Sequence, residues 1–430
     1  MASPDAENPE QLAQPEEVNN EVEVMKEKAG CRCCPRTRQG WLICGCSTCV
    51  CVLGVLILIV AIVVGNMGGN GITELPSETR VDTQEGVDPT NAMRITWLPG
   101  CGEGNKTDEE IDACGGSCFN SSFISQIESF YASNGFRMVN FSSRAGPEGQ
   151  DVVQIQAWWI PPAPGINLGA GTPPRVVVSH GTNQNQNKFE TQIAGFLLAS
   201  AGFGVLLPSL RDHGYSGSSS HGLFSWGWDY PYDILGAWDY AKEDPHGILG
   251  GPTDQVGVMG FSMGGFTAMN AFGMEPAIPA VWADAPVFSV KDILLQEMRA
   301  QGGPLGDLGI EFAWRFANSE VELHYNHPAG VLPNGPDVNR KVYIVQNSED
   351  ETVPTSQQDK LIELLEAYPQ KYTLSGYWLT SAVCNEDKHR ILHLMFPSKY
   401  RERLCLFWTD VFGLSQDRCT DGSLVKIAGR

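Results

Sequence analysis

A mostly parallel β-sheet of eight strands, covered by helices on both faces and preceded by one transmembrane helix, is the architecture this sequence predicts. Three observations predict it. Short apolar runs alternate with helical stretches from residue 136 onward, most of those runs are unbroken rather than alternating, and one uncharged segment of 25 residues lies near the front. Strands alternating with helices make a parallel sheet, and unbroken apolar strands are those buried on both faces.

The chain begins with residues 1–40, first acidic and rich in Asn, Gln and Pro, then basic and cysteine-containing. No apolar periodicity runs through residues 1–25, so disorder is expected there. Residues 41–65, "WLICGCSTCVCVLGVLILIVAIVVG", carry no charge. A bilayer core needs about 20 apolar residues in a helix, so this stretch is long enough to span. Lys26, Lys28, Arg32, Arg36 and Arg38 precede it, whereas the segment after it is predominantly acidic. Excess Lys and Arg stays on the cytoplasmic side, which predicts a single-pass type II protein: N-terminus cytosolic, everything after residue 65 lumenal or extracellular.

Two further features fit that orientation. Asn105, Asn120 and Asn140 head N-x-S/T glycosylation triplets, all beyond the span. Of the 13 cysteines, positions 101, 114, 118, 384, 405 and 419 follow the span, an even number suited to disulfides in an oxidising compartment. Cys31, Cys33 and Cys34 are juxtamembrane and suit reversible palmitoylation. Their C-x-CC spacing has no complementary His or Cys pair on the same side, so no metal is expected. The net charge of −21 argues against nucleic acid as a partner, since no basic patch would gather phosphates against that field.

Residues 66–100 read as a polar, glycine-rich stalk and residues 101–135 as a cysteine-containing lead-in with a helical stretch, "SSFISQIESFYASNG". The strand candidates follow at 136–144, 151–162, 175–181, 202–210, 255–262, 278–286, 341–348 and 370–379. Between them lie the helical stretches "NKFETQIAGFLLASAG", "PYDILGAWDYAKE", "MGGFTAMNAFG" and "SQQDKLIELLEAYP", and "PSKYRERLCLFWTDVFG" closes the series. In such sheets reactive groups collect where the strands end.

The run "VGVMGFSMGG" ends a strand and starts a helix, with Ser262 between Gly260 and Gly264. A nucleophilic serine on a sharp strand-to-helix turn needs small neighbours, and the N–H of Met263 then faces an oxyanion formed at it. G-x-S-x-G is a weak signal in a chain with 47 glycines; between a buried strand and a helix it is a strong one. The serine needs a base and the base an orienting acid, in the chain order Ser, acid, His. Asp350 in "NSEDETVP" is the preferred acid over Glu349 and Glu351. Only His389 and His393 follow it; His389 sits in a polar loop and is preferred as the base, while His393, inside "ILHLMF", is expected to pack. A second oxyanion donor is expected from "SHGTN" after the third strand run: His180 and Gly181 form the loop, with the N–H of Thr182 or Asn183 aimed inward.

"SHGTNQNQ", "LLPSLRDHGYSG", "YDILGAWDYAK", "VGVMGFSMGG", "AVWADAPV", "DETVP" and "KHRILHLMFPSKY" fall in the order and spacing of the α/β-hydrolase superfamily. From Phe136 to Gly413 the chain most resembles its prolyl-oligopeptidase-type (S9-like) and serine aminopeptidase-like single-domain serine hydrolases. The resemblance implies an α/β-hydrolase domain over residues 136–415, with a C-terminal tail at 416–430. It implies a triad of Ser262, Asp350 and His389, an oxyanion hole at Met263 and Thr182, and structural rather than catalytic roles for Asp212 and His213. No cofactor is implied. Two departures stand out: Asn347-Ser348 replaces the His-Gly frequent before the acid, and the Asp350–His389 interval is long. A disulfide from Cys384 to Cys405 or Cys419 is one expected way to hold that loop.

Residues 287–340 have room for a small lid, and Trp226, Trp228 and Tyr230 are candidates for the acyl pocket, or for packing on the next helix. The function expected is an esterase or lipase-like serine hydrolase acting on a small-molecule or lipid ester. A serine peptidase of aminopeptidase or S9-like type is the alternative, and a catalytically idle hydrolase-fold domain for binding or adhesion is the alternative of another class. The lipid bilayer is the one macromolecular partner expected, and nothing in the sequence specifies an oligomeric state.

Overall fold

The computed structural model describes residues 97–419, apart from 104–105, 147–150, 167, 170, 183–184, 303–313, 315–326 and 418. The expected transmembrane segment 41–65, Asn105, Asn183 and residues 303–313 and 315–326 of the possible lid lie outside the described residues. Among the described residues no helix is long and apolar enough to cross a membrane.

Eight strands form one sheet: β1 Arg137–Ser142, β2 Gln154–Ile160, β3 Arg175–Ser179, β4 Gly204–Pro208, β5 Val256–Phe261, β6 Ala280–Asp284, β7 Arg340–Asn347 and β8 Tyr372–Thr380. Their order across the sheet is β1-β2-β4-β3-β5-β6-β7-β8. Strand β2 runs antiparallel to both β1 and β4, and the remaining pairings are parallel. Every expected strand run is present, trimmed at its ends where turn residues take over.

The helices are α1 Asp108–Gly115, α2 Ser121–Asn134, α3 Phe189–Ala199, α4 Tyr230–Glu243, α5 Met263–Met274, α6 Val290–Gly302, α7 Thr355–Glu366 and α8 Pro397–Phe412. Period-two alternation splits the strand side chains between the two faces of the sheet. Val176 and Val178 join the core beneath α2, α3 and α8, with Phe130, Ile193, Phe196, Leu404 and Trp408. Val177 points the other way, into the core under α4, α5 and α7 with Ile234, Met269, Phe272 and Leu361. Helix α1, not expected from periodicity, starts at a capping box: Thr107 accepts from the Glu110 N–H while the Glu110 carboxylate accepts from the Thr107 N–H.

All six cysteines after residue 100 are paired, as Cys101–Cys114, Cys118–Cys384 and Cys405–Cys419. This corrects the expected partner of Cys384. Cys405 faces Cys419 at the end of its own helix, while the lead-in packs beside the loop after β8. There Asn385 donates to the carbonyls of Pro99 and Cys114, which brings Cys118 to Cys384.

A disulfide removes more freedom from the unfolded chain when it closes a longer loop. Cys118–Cys384 spans 266 residues and Cys405–Cys419 spans 14. Converting the first pair to serines should lower the unfolding free energy by about 5 kcal/mol, and by about 2.5 kcal/mol more than converting the second. Denaturant unfolding of both double variants checks this; equal losses would contradict it.

Candidate active site

Ser262 follows the last residue of β5 and precedes α5, with φ 54° and ψ −120°. Positive φ in a residue that is not Gly, Asn or Asp is strained, and the surrounding contacts enforce it. Its N–H donates to the Asp284 carbonyl at 2.8 Å, and its own carbonyl accepts from Phe266 N–H. Glycine is needed on both sides because the first turn of α5 presses against the sheet. A Cβ at Gly264 would collide with the carbonyl oxygens of Ser179 and His180, and one at Gly260 with the Gly264 backbone. The N–H groups of Met263, Gly264 and Gly265 open the helix and have no intrahelical acceptor.

The register places the other components alongside. Ser179 pairs with Gly260, so the loop His180-Gly181-Thr182 leaves β3 beside the Ser262 turn. His180 is fully buried: Leu210 N–H donates to its Nε2 at 3.1 Å, and Nδ1 lies 2.9 Å from the Gly181 carbonyl. The first contact makes Nε2 an acceptor, so Nδ1 carries the proton and the ring is neutral. Burial, His213 and Arg390 hold its pKa well below the ordinary imidazole value. A neutral His180 thus ties the loop to the end of β4. Thr182 is half-buried at the tip of that loop.

Asp350 lies in the turn after β7 and His389 in the loop after β8, and both are buried. His389 Nδ1 is 2.6 Å from Asp350 Oδ2, while Asp350 Oδ1 accepts from Thr352 N–H at 3.0 Å and Val353 N–H at 2.9 Å. The carboxylate is therefore held by backbone donors on one oxygen and meets the imidazole with the other. The hydrogen bonds of His389 run to Asp350 and Asp387, and none among the described residues joins it to the Ser262 hydroxyl. Glu349 and Glu351 face outward, to Ser381 and Lys388. His393 is enclosed by the rings of Phe189, Phe261 and Tyr400, and burial pushes its pKa down to about 3.

Other candidates fall away from this cluster. Asp212 accepts from Ser219 N–H and Oγ–H, and His213 Nδ1 lies against the Arg211 carbonyl, so both brace the turn after β4. Tyr230 packs in the core below α4, and Trp228 lies near His221. Trp226, at φ 50°, instead packs on a small apolar cluster of Phe266, Val287, Val290, Ile293, Leu294 and Val353. Phe266 is in the first turn of α5 and Val353 follows Asp350 by three residues, so this cluster borders the site. Asn120 caps α2 and Asn140 lies on the edge strand β1; both are exposed. Among the described residues no group of three or more His, Cys, Asp or Glu side chains is arranged to hold a metal ion.

Two further groups border the site to which sequence reasoning gave no role there, although Asn347 departs from the family pattern and Asp284 lies in "AVWADAPV". Asn347, the last residue of β7, bonds to the loop that bears His389. Asp284, the last residue of β6, is buried beside the Ser262 turn and accepts from Tyr400 Oη–H at 2.6 Å. Burial pushes its pKa up to about 7 against the Tyr400 hydrogen bond, with Asp350 and Glu190 adding to the rise and Arg390 opposing it.

The strand order, the single antiparallel strand β2 within it and the strained serine turn after β5 together define an α/β-hydrolase fold. No family model matches the chain, and no curated protein matches it. Among solved structures it is similar to an esterase of Pyrococcus furiosus, at 18% identity over 65% of this chain and 92% of that one, with a TM-score of 0.48. It is similar to an α/β hydrolase from Penicillium sp. sh18, at 14% identity over 65% and 99% of the two chains, with a TM-score of 0.45. A Mycobacterium tuberculosis puromycin-hydrolyzing peptidase gives 16% identity over 69% of this chain and 41% of that one, with a TM-score of 0.46.

Because the folded-state pKa of Asp284 exceeds that of a free carboxyl, its protonated form is the one the fold favours. Its contribution is fully present below about pH 4 and is lost as pH rises through about 7. Asp284→Asn should therefore gain stability relative to wild type between pH 5 and pH 8, by an amount of order 1–3 kcal/mol. Denaturant unfolding at the two pH values checks the sign; a pH-independent difference would contradict it.

Proposed function

We propose that the chain is a membrane-anchored serine hydrolase that cleaves an ester or thioester through an acyl-enzyme. The observation that carries this reading is the His389–Asp350 contact of 2.6 Å, which lies at the carboxyl ends of the strands, as does the strained Ser262. In this reading the Ser262 hydroxyl gives its proton to His389 Nε2 as its Oγ bonds to the substrate carbonyl carbon. Asp350 holds the proton on Nδ1 and stabilises the imidazolium. The tetrahedral oxyanion rests on the N–H groups of Met263 and Thr182. Collapse breaks the bond to the leaving group, which takes the proton from His389, and water activated by the same histidine releases the acid. The apolar cluster of Phe266, Val287, Val290 and Val353 beside the turn suits an apolar acyl group.

The membrane anchor is residues 41–65, with the hydrolase domain lumenal or extracellular. Support comes from the basic flank before the span, from the cysteines beyond it, and from the exposure of Asn120 and Asn140.

Wild-type protein should be labelled by a fluorophosphonate probe, and Ser262→Ala should not be, with turnover of p-nitrophenyl esters falling by about 10⁶. A folded wild type that takes no label would favour the idle binding domain. Faster turnover of aminoacyl amides than of esters would favour the peptidase.

Protein made in eukaryotic cells should shift on a gel after endoglycosidase treatment, and Asn120→Gln and Asn140→Gln should each remove part of that shift. A C-terminal tag accessible from the cytosol would overturn the orientation.

A further inference from the structure

His389, in the loop after β8, lies 39 positions beyond Asp350, with α7 and β8 between them, and must meet a carboxylate on a different loop. Chain connectivity alone does not bring them together. Between Thr380 and Ile391 the loop includes two non-glycine residues in succession at positive φ, Asn385 at 48° and Glu386 at 72°. On its outer side it is pinned to the lead-in by Cys118–Cys384 and by Asn385. On its inner side the principal anchor is one buried side chain, Asn347.

The Asn347 amide uses both of its ends. Its Oδ1 accepts from Ala382 N–H at 2.9 Å and from Glu349 N–H at 3.2 Å. Its Nδ2 donates to the carbonyls of Ala382 and Lys388, each at 2.6 Å. Paired with the N–H and C=O of Ala382, the side chain acts as a further rung beyond the last β7–β8 pair, Asn347 with Thr380. The bond to Lys388 reaches the residue before His389. The Asn347 backbone carbonyl meanwhile accepts from Asp350 N–H at 3.2 Å. One residue thus grips the acid turn through its backbone and the base loop through its side chain.

We propose that Asn347 is a positioning residue that sets His389 against Asp350. The proposal rests on the triad reading given above. Asn347 touches neither substrate nor Ser262, so its loss should leave binding intact and misplace the base. An error of about 1 Å in a catalytic group costs on the order of 10²-fold. A serine at this position has one oxygen and one proton, which cannot serve Ala382 and Lys388 together.

The test uses the purified full-length protein in detergent, with p-nitrophenyl butyrate as substrate and a fluorophosphonate as titrant. For Asn347→Ala and Asn347→Ser we expect kcat to fall about 10–100-fold with KM changed less than about threefold. The fluorophosphonate labelling rate should fall in step, and cooperative thermal unfolding should be retained in at least the serine variant. Wild-type kcat in both variants, or a raised KM at unchanged kcat, overturns the proposal. Loss of cooperative unfolding in both variants makes Asn347 a residue of the fold and also overturns it. A wild type that neither labels nor turns over overturns the triad reading itself, and the positioning role with it.

Discussion

The close approach of the first turn of α5 to the end of β3 is the constraint from which the site follows. Gly264 sits against the carbonyl oxygens of Ser179 and His180, at a separation that no side chain would permit. That contact drives the helix into the sheet, and the chain can turn from β5 into α5 only by putting Ser262 at positive φ. The strain is local and is sustained by two buried cores, one on each face of the sheet. The same contact sets the β3 loop next to the serine, so the His180-Gly181-Thr182 loop and the first turn of α5 become neighbours through one packing event.

Electrostatics at this edge work on a second level. Asp350 is bonded on one oxygen by two backbone N–H groups and on the other by His389. Among the described residues Asp284 has Tyr400 as its side-chain hydrogen-bond partner, and burial, with Asp350 and Glu190 adding to it, pushes its pKa up. Glu190 pairs with Arg390 at 2.7 Å, which joins α3 to the residue after His389. The two aspartates at the ends of adjoining strands thus differ in their hydrogen-bond donors.

Much of the fold was legible in the residues. The eight strand runs and six helices, α2, α3, α4, α5, α7 and α8, stand out: burial on both faces leaves unbroken apolar runs in the strands, and turn residues bound the helices. Helix α1 was missed because its first turn, Asp108 to Ile111, is almost wholly acidic and shows no apolar stripe; its capping box stabilises it instead. Helix α6 lies in the segment 287–340, read from the sequence as a possible lid; Val290, Ile293 and Leu294 stand at helical spacing and pack into one apolar cluster. The pairing of Cys384 was misjudged since cysteine positions do not reveal which surfaces meet. Trp226, Trp228 and Tyr230 stand within five residues of one another, and only Trp226 packs on the apolar cluster bordering the site.

The sequence by itself determined the parallel architecture, the serine turn and the succession of Ser262, Asp350 and His389. Those features depend on contiguous residues: a buried strand, two glycines around a serine, a loop after a strand. Tertiary structure decided which histidine meets Asp350, why His180 is neutral, that Asp284 is buried beside the serine turn, and that Asn347 and Cys118 hold the base loop from opposite sides. These depend on groups from 22 (Ser262 and Asp284) to 266 residues apart, brought together by packing that no local pattern encodes.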